Sequence, residues 1–254
     1  MKNIIIITGA SSGIGQEFAL QIDTAFSNID EIWLIARREE RMEEVAKVME
    51  HATRIIPMDV SDEYAMDDLE ALMDAEDVVV RMLINAAGFG LMGEFNDIPF
   101  EEQNDMLLVN CEALSKLTYM VLPYMAKGSR IIQMASAAAF MPQPGFAVYA
   151  ATKSYVLSFS RALNRELADR GIYVTAVCPG PVNTEFFDVA EQYGETPMVK
   201  KLTMITSEKC VSDALRASYF KQDMVVPGFT MKASLLATKL LPHSLVLNIT
   251  NLWK

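Results

Sequence analysis

Six short runs rich in β-branched and aliphatic residues recur along the chain, and each leads into a stretch of helical periodicity. The runs are IIIIT (4–8), IWLIA (32–36), RIIPM (54–58), RMLIN (81–85), RIIQM (130–134) and IYVTAV (172–177). They are apolar at consecutive positions, as strands covered on both faces must be. Helical patterns fall near 14–26, 39–50, 62–74, 100–126, 147–169 and 208–221. Strands separated by helices pair in parallel through right-handed crossovers. The expected fold is therefore α/β: a doubly wound parallel sheet of six to seven strands with helices on both faces. In such sheets ligands gather beyond the carboxyl ends of the strands. No repeat, low-complexity tract or linker interrupts the chain before residue 223. One domain is expected over 1–228, followed by an amphipathic helical tail over 229–254.

Composition narrows the function classes. A net charge of −11 argues against non-specific nucleic-acid binding. Cys111, Cys178 and Cys210 are widely spaced, and the two histidines, at 51 and 243, make no metal-ligand pattern. No metal is expected. The N-terminal MKNIIIITG carries too short an apolar run for a signal peptide or a membrane span, so a cytoplasmic protein is expected. Between 39 and 77 the chain carries fourteen acids against three bases, the composition of solvated outer helix faces.

Chemistry-bearing residues stand just after the strands. Thr8-Gly9-Ala10-Ser11-Ser12-Gly13-Ile14-Gly15 runs from the first strand into a helix, where glycines allow close approach of a pyrophosphate to the helix N-terminus. After the second strand comes Ala36-Arg37-Arg38. An acid at this place accepts from the ribose 2′-OH of NAD(H), whereas arginine accommodates the 2′-phosphate of NADP(H), so NADP(H) is expected rather than NAD(H). Asp59-Val60 follows the third strand, where a carboxylate suits an adenine amino group; Ser61 and Asp62 are the better helix caps. Asn85-Ala86-Ala87-Gly88 follows the fourth, with small residues that let a cofactor pass close. Cys178-Pro179-Gly180-Pro181-Val182-Asn183-Thr184 follows the sixth, as a rigid turn with a hydroxyl or simply a loop stop. Ser136 ends the fifth strand. Thirteen residues later Tyr149 opens a helix with Lys153 one turn on, a phenol beside an ammonium.

Taken together, TGxxxGxG, NAAG, the Ser–Tyr spacing, YxxxK and PGxxxT resemble the short-chain dehydrogenase/reductase superfamily over about residues 2–186. The resemblance implies a Rossmann-type fold and the catalytic tetrad Asn110, Ser136, Tyr149 and Lys153. It implies cofactor contacts at Gly9, Ser11, Ile14, Arg37, Asp59, Asn85, Tyr149, Lys153, Val182 and Thr184. Ser12, Gly13, Gly15, Val60, Ala86, Gly88, Pro179 and Gly180 stand beside them in the same motifs. Asn85 looks like the strand-end amide that braces the sheet. The implied reaction is hydride transfer between nicotinamide and a carbonyl or alcohol carbon. Tyr149 would be general acid and base, Ser136 would bond the reacting oxygen, Lys153 would hold the ribose and stabilise the phenolate, and Asn110 would hold a relay water. Bringing a tyrosine from pKa ~10 toward ~7 takes roughly 4 kcal/mol, which a close cation and an oxidised nicotinamide are expected to supply. A homodimer or homotetramer is the family's habit.

Phe89, Met92, Phe140, Met141, Phe146 and Phe186 lie in the strand-end loops and are expected, with Ser136, to face a substrate. That apolar wall points to a hydrophobic ketone or secondary alcohol, as in carbonyl reductases and hydroxysteroid dehydrogenases. A 3-oxoacyl thioester is the alternative, and a catalytically silent dinucleotide sensor is a reading from another class. Residues 187–206 are expected to form a lid, with Gly194 and Pro197 suited to movement. The tail carries one apolar stripe at Leu235, Leu236, Leu240 and Leu241, and another at Leu245, Ile249, Leu252 and Trp253. It is expected to pack over the substrate mouth, against a second subunit, or on a membrane surface.

Overall fold

A computed structural model of the chain describes residues 1–195 and 203–240, excepting the side chains of Ser234, Ala237 and Lys239. Seven strands among the described residues form one sheet: β1 (Lys2–Thr8), β2 (Glu31–Ala36), β3 (Thr53–Pro57), β4 (Val78–Asn85), β5 (Arg130–Met134), β6 (Tyr173–Val177) and β7 (Met224–Val225). Their order is β3-β2-β1-β4-β5-β6-β7, and every pairing is parallel. The helices are α1 (Gly13–Ala25), α2 (Glu39–Ala46), α3 (Glu63–Ala75), α4 (Phe100–Leu107), α5 (Leu114–Val121), α6 (Ala147–Glu166), α7 (Phe186–Ala190), α8 (Ser207–Tyr219) and α9 (Phe229–Leu240).

The expected two-faced sheet follows from the consecutive isoleucines. Ile4 and Ile6 join Trp33 and Ile35 in the core on one face, while Ile5 and Ile7 join Ile32 and Leu34 on the other. All eight are fully buried, and each contributes roughly 1.5–3 kcal/mol through that burial. Strand order reverses between β1 and β4, so their carboxyl ends, Thr8 and Asn85, open a crevice between them. β7 pairs over only two residues, because Pro227 follows without an amide to continue the edge.

Two helical expectations change. The segment 100–126 is not one helix but α4, a π-helical stretch Leu108–Ala113, α5 and a 3₁₀ turn Leu122–Tyr124. The π stretch is where the fully buried Asn110 sits, and a widened turn redirects the side chains around such a residue. α2 stops at Ala46, and the buried Asp23 on α1 then accepts the amides of Glu50 and His51 at 2.8 Å each and turns the chain toward β3. Asp62 caps α3, accepting from the amides of Tyr64 and Ala65.

The described part of the expected lid is tied down. Met92 N donates to Ala190 O at 2.8 Å, and Ala190 is fully buried. Gly194 packs against the loop after β4, where a Cβ would stand 3.1 Å from Met92 O. Beyond it the chain returns alongside the 181–183 turn, with Val182 bridged to Ile205. Pro197 and the second apolar stripe of the tail lie outside the described residues.

Candidate active site

The site grows from the end of β5 and the first turn of α6. Along α6 the residues Tyr149, Lys153, Val156, Ser160 and Leu163 recur at three- and four-residue steps and are buried. The periodicity that packs the helix therefore also carries Tyr149 and Lys153 inward. Lys153 Nζ donates to Met134 O, the last residue of β5, at 2.8 Å, and lies 5.7 Å from the centre of the Tyr149 ring. Ser136 Oγ accepts from Ala138 N at 3.1 Å and hydrogen-bonds the Tyr149 phenol. The structure thus brings Ser136, Tyr149 and Lys153 together, all three lining a cavity of about 490 Å³.

Burial dominates the titration of the pair. Burial pushes the Tyr149 phenol up to about 12, and the Ser136 hydrogen bond opposes this without overcoming it. Burial also draws the Lys153 ammonium down to about 8. A phenol ionising near neutrality is not a property of the ligand-free site, because one ammonium several ångströms from the ring does not offset desolvation of the phenolate. At neutral pH Tyr149 holds its proton and Lys153 keeps its charge. That is the starting state of a proton donor.

The Tyr149 ring sits in a narrow slot. Phe146 stacks on it at 4.2 Å between centroids, and Phe186 tilts against it at 5.6 Å. On another side is Gly90, where a Cβ would stand 2.4 Å from Tyr149 Cδ2. In the sequence Gly90 is marked only by the GFG that begins on the last residue of the NAAG turn. Gly90→Ala is expected to push the ring aside and lower kcat about a hundredfold, with cofactor affinity changed less than twofold. Steady-state kinetics beside a binding titration check this, and an unchanged kcat would show the slot to be loose.

Asn110 lies behind this centre with its carboxamide engaged. Nδ2 donates to Phe89 O at 2.8 Å and Thr152 Oγ1 at 3.1 Å, and Oδ1 accepts from Phe89 N at 3.1 Å. The side chain braces the β4 loop to α6 and leaves one lone pair of Oδ1 uncommitted. Asn85 is likewise a brace and turns away from the cavity, donating to Thr118 Oγ1 and Gln133 Oε1 at 3.0 Å each. Thr8 Oγ1 accepts from Ala86 N and Ala87 N at 3.1 Å each, anchoring the turn that follows. Ala86 and Gly88 reach the cavity from this turn, and Pro179, Gly180, Val182 and Thr184 reach it from the loop after β6.

The glycine turn packs closely against its own chain. Gly9 has φ +68°, and a Cβ there would meet the Ala86–Ala87 peptide at 2.9 Å; a Cβ at Gly15 would fall 2.2 Å from Gly9 O. Ile14 lines the cavity, and a Cβ at Gly13 would touch Thr184 across the crevice at 3.2 Å. Ser12, at the N-cap of α1, makes no side-chain cap, so no hydroxyl covers the first amides of that helix. Instead Ser12 Oγ accepts from Arg38 Nη2 at 2.7 Å, and Ser11 Oγ accepts from the same guanidinium at 3.3 Å. Arg38 also pairs with Glu185 at 3.0 Å. Arg37, expected among the cofactor contacts, is a surface residue 3.7 Å from Asp59. Asp59 would be raised by burial, but the Ser61 hydroxyl and amide and then Arg37 bring it below the usual range. Its carboxylate is thus occupied by Ser61 and Arg37.

Of the expected substrate wall, Met92, Met141, Phe146 and Phe186 line the cavity. Phe89 and Phe140 do not: Phe89 packs into the loop core around Leu91 and Met106, and Phe140 into a cluster with Leu114, Val156 and Leu235. Val60 packs under the β3 side of the core. Gln143, Thr203 and Met231 line the cavity without having been singled out, since a polar loop residue and a tail methionine carry no sequence signal for it.

A model of the short chain dehydrogenase family matches residues 3–193. The chain is 34% identical over 193 residues to sulfoacetaldehyde reductase 2 of Chromohalobacter salexigens, covering 73% of this chain and 75% of the relative. It is 29% identical over 216 residues to a very-long-chain 3-oxoacyl-CoA reductase of Phaeosphaeria nodorum, covering 80% of this chain and 62% of that protein. A short-chain dehydrogenase from Sphingobium yanoikuyae, solved in complex with NADPH, superimposes with a TM-score of 0.80 at 27% identity, covering 93% of this chain and 92% of that one.

Proposed function

The chain belongs to the short-chain dehydrogenase family, and we propose that it is an NADP(H)-dependent oxidoreductase acting on a hydrophobic ketone or the corresponding secondary alcohol. The observation that carries this reading is the grouping of the Tyr149 and Ser136 hydroxyls, with a buried Lys153 beside them, in the lining of one apolar cavity.

The residues fit a nicotinamide dinucleotide. The uncapped start of α1 and the Cβ-free turn at Gly9 and Gly15 suit the pyrophosphate, while Thr184, Val182 and Gly180 flank the nicotinamide end of the crevice. Two guanidiniums suit a 2′-phosphate: Arg38 is held at the turn by Ser11 and Ser12, and Arg37 is exposed at the end of β2. When bound, the cofactor supplies or accepts the hydride. Tyr149 gives its proton to the oxygen of the carbonyl being reduced, and Ser136 donates a hydrogen bond to the same oxygen. Lys153 keeps a positive charge beside the phenolate that results, and Asn110 holds the Phe89 backbone and Thr152 in register with α6.

The wall formed by Met92, Met141, Phe146, Phe186 and Phe187 favours a hydrophobic substrate, and no arginine, aspartate or glutamate lines the described cavity. That wall also suits a long acyl chain, and the likeness to the Phaeosphaeria reductase favours a 3-oxoacyl thioester as a second reading. The test is NADPH oxidation, followed by absorbance, against hydrophobic ketones, steroids and 3-oxoacyl thioesters. Turnover is expected with a hydrophobic ketone and not with small anionic aldehydes. NADPH binding with no turnover of any carbonyl would instead favour the silent-sensor reading. In the same assay Arg37→Ala is expected to raise the KM for NADPH roughly tenfold or more while leaving that for NADH nearly unchanged. Equal effects on both cofactors would remove Arg37 from the 2′-phosphate site.

A further inference from the structure

The helix after β7 has two apolar faces, and only one is covered. On the inner face Met231, Leu235 and Thr238 recur at four- and three-residue steps. Met231 lines the catalytic cavity, Met231 and Leu235 pack against the cluster around Cys178 and Val226, and Thr238 is buried. The helix is seated on Gly180, where a Cβ would stand 2.5 Å from Met231 Cγ. Opposite, Phe229, Leu236 and Leu240 recur at seven- and four-residue steps and are 84%, 58% and 72% exposed. Lys232 is exposed beside this stripe.

We infer that this outer face of α9 docks on an anionic lipid surface, holding there the helix whose inner face walls the catalytic cavity. Charge selects the occupant. In a chain of net charge −11 there is no aspartate or glutamate after Asp223, only Lys232, Lys239 and Lys254. A two-fold pairing of this face with a second copy would bring lysine toward lysine, with no acid in the segment to offset it. An anionic bilayer attracts the lysines and takes up Phe229, Leu236 and Leu240 at the boundary between headgroups and acyl chains. No helix among the described residues is long and apolar enough to cross a membrane, so α9 lies on the surface.

The test is flotation of the full chain, without cofactor, with phosphatidylcholine vesicles containing phosphatidylglycerol. The parent is expected to float with them, less so as salt rises. The triple variant Phe229→Glu, Leu236→Glu, Leu240→Glu is expected to stay behind while keeping its turnover of a soluble ketone. Lys232→Glu, a change at an exposed position, keeps the test alive if the triple variant misfolds, and is expected to weaken binding about tenfold. Three results would overturn the inference: a parent that does not float, variants that float like the parent, or a parent dimer that the variants break in sedimentation. Flotation requires no turnover, so its failure leaves the oxidoreductase reading standing.

Discussion

Tyr149→Phe is expected to lose about a thousandfold or more in kcat with every ketone the parent reduces, while NADPH binds within about twofold of the parent affinity. The substitution keeps the ring and therefore its stacking on Phe146 and its place beside Gly90 and Phe186. What it removes is the phenolic proton that Tyr149 presents to the cavity. The titration of this site adds a direction to the expectation. Burial holds Tyr149 near 12, so the parent carries a protonated phenol across the neutral range and its reductive turnover should be flat with pH there. The reverse reaction needs the phenolate and should climb as pH rises. A Phe variant with a tenth of the parent's turnover would move the general acid elsewhere, Ser136 being the nearest hydroxyl.

Lys153→Met is expected to lower kcat by a comparable factor, weaken cofactor binding and make the protein more stable at neutral pH. The buried ammonium is drawn down to about 8 by desolvation, from 10.5 in an exposed lysine. Below pH 8 both folded and unfolded chains carry the charge, and the folded chain bears the whole cost of burying it. Between about 8 and 10.5 the folded chain sheds its proton while the unfolded chain keeps it, so the stability of the parent rises with pH. The Met variant carries no such cost. Its Tm should exceed that of the parent by about 3 °C at pH 7, with the gap closing across that window. Losing the bond to Met134 O offsets part of the gain. A Met variant less stable than the parent at pH 7 would show that the bond to Met134 O outweighs the cost of burying the charge.

The strands were legible because burial on both faces leaves an unbroken apolar run that little else produces. The Ser136–Tyr149–Lys153 group was legible because it rests on local spacing, a strand end and one helical turn. Spacing failed where a role depends on which neighbour a side chain meets. Asn85 braces the sheet as the resemblance implied, yet no spacing showed which partners its amide and that of Asn110 meet: Thr118, Gln133, Phe89 and Thr152, 21 to 48 residues away. The adjacent arginines 37 and 38 are indistinguishable as letters, but consecutive residues leave the backbone in different directions. One met Asp59 and the other the Ser11–Ser12 turn.

By itself the order of residues determined the parallel layered architecture, the strand ends at which ligands gather and the grouping of Ser136, Tyr149 and Lys153. Each of these follows from periodicity or from neighbours within a turn. Only the tertiary structure decided how readily that proton leaves, how tightly the tyrosine ring is held and which tail residue walls the cavity. Desolvation, a missing Cβ at Gly90 and the seating of Met231 on Gly180 are set by atoms brought together from distant parts of the chain.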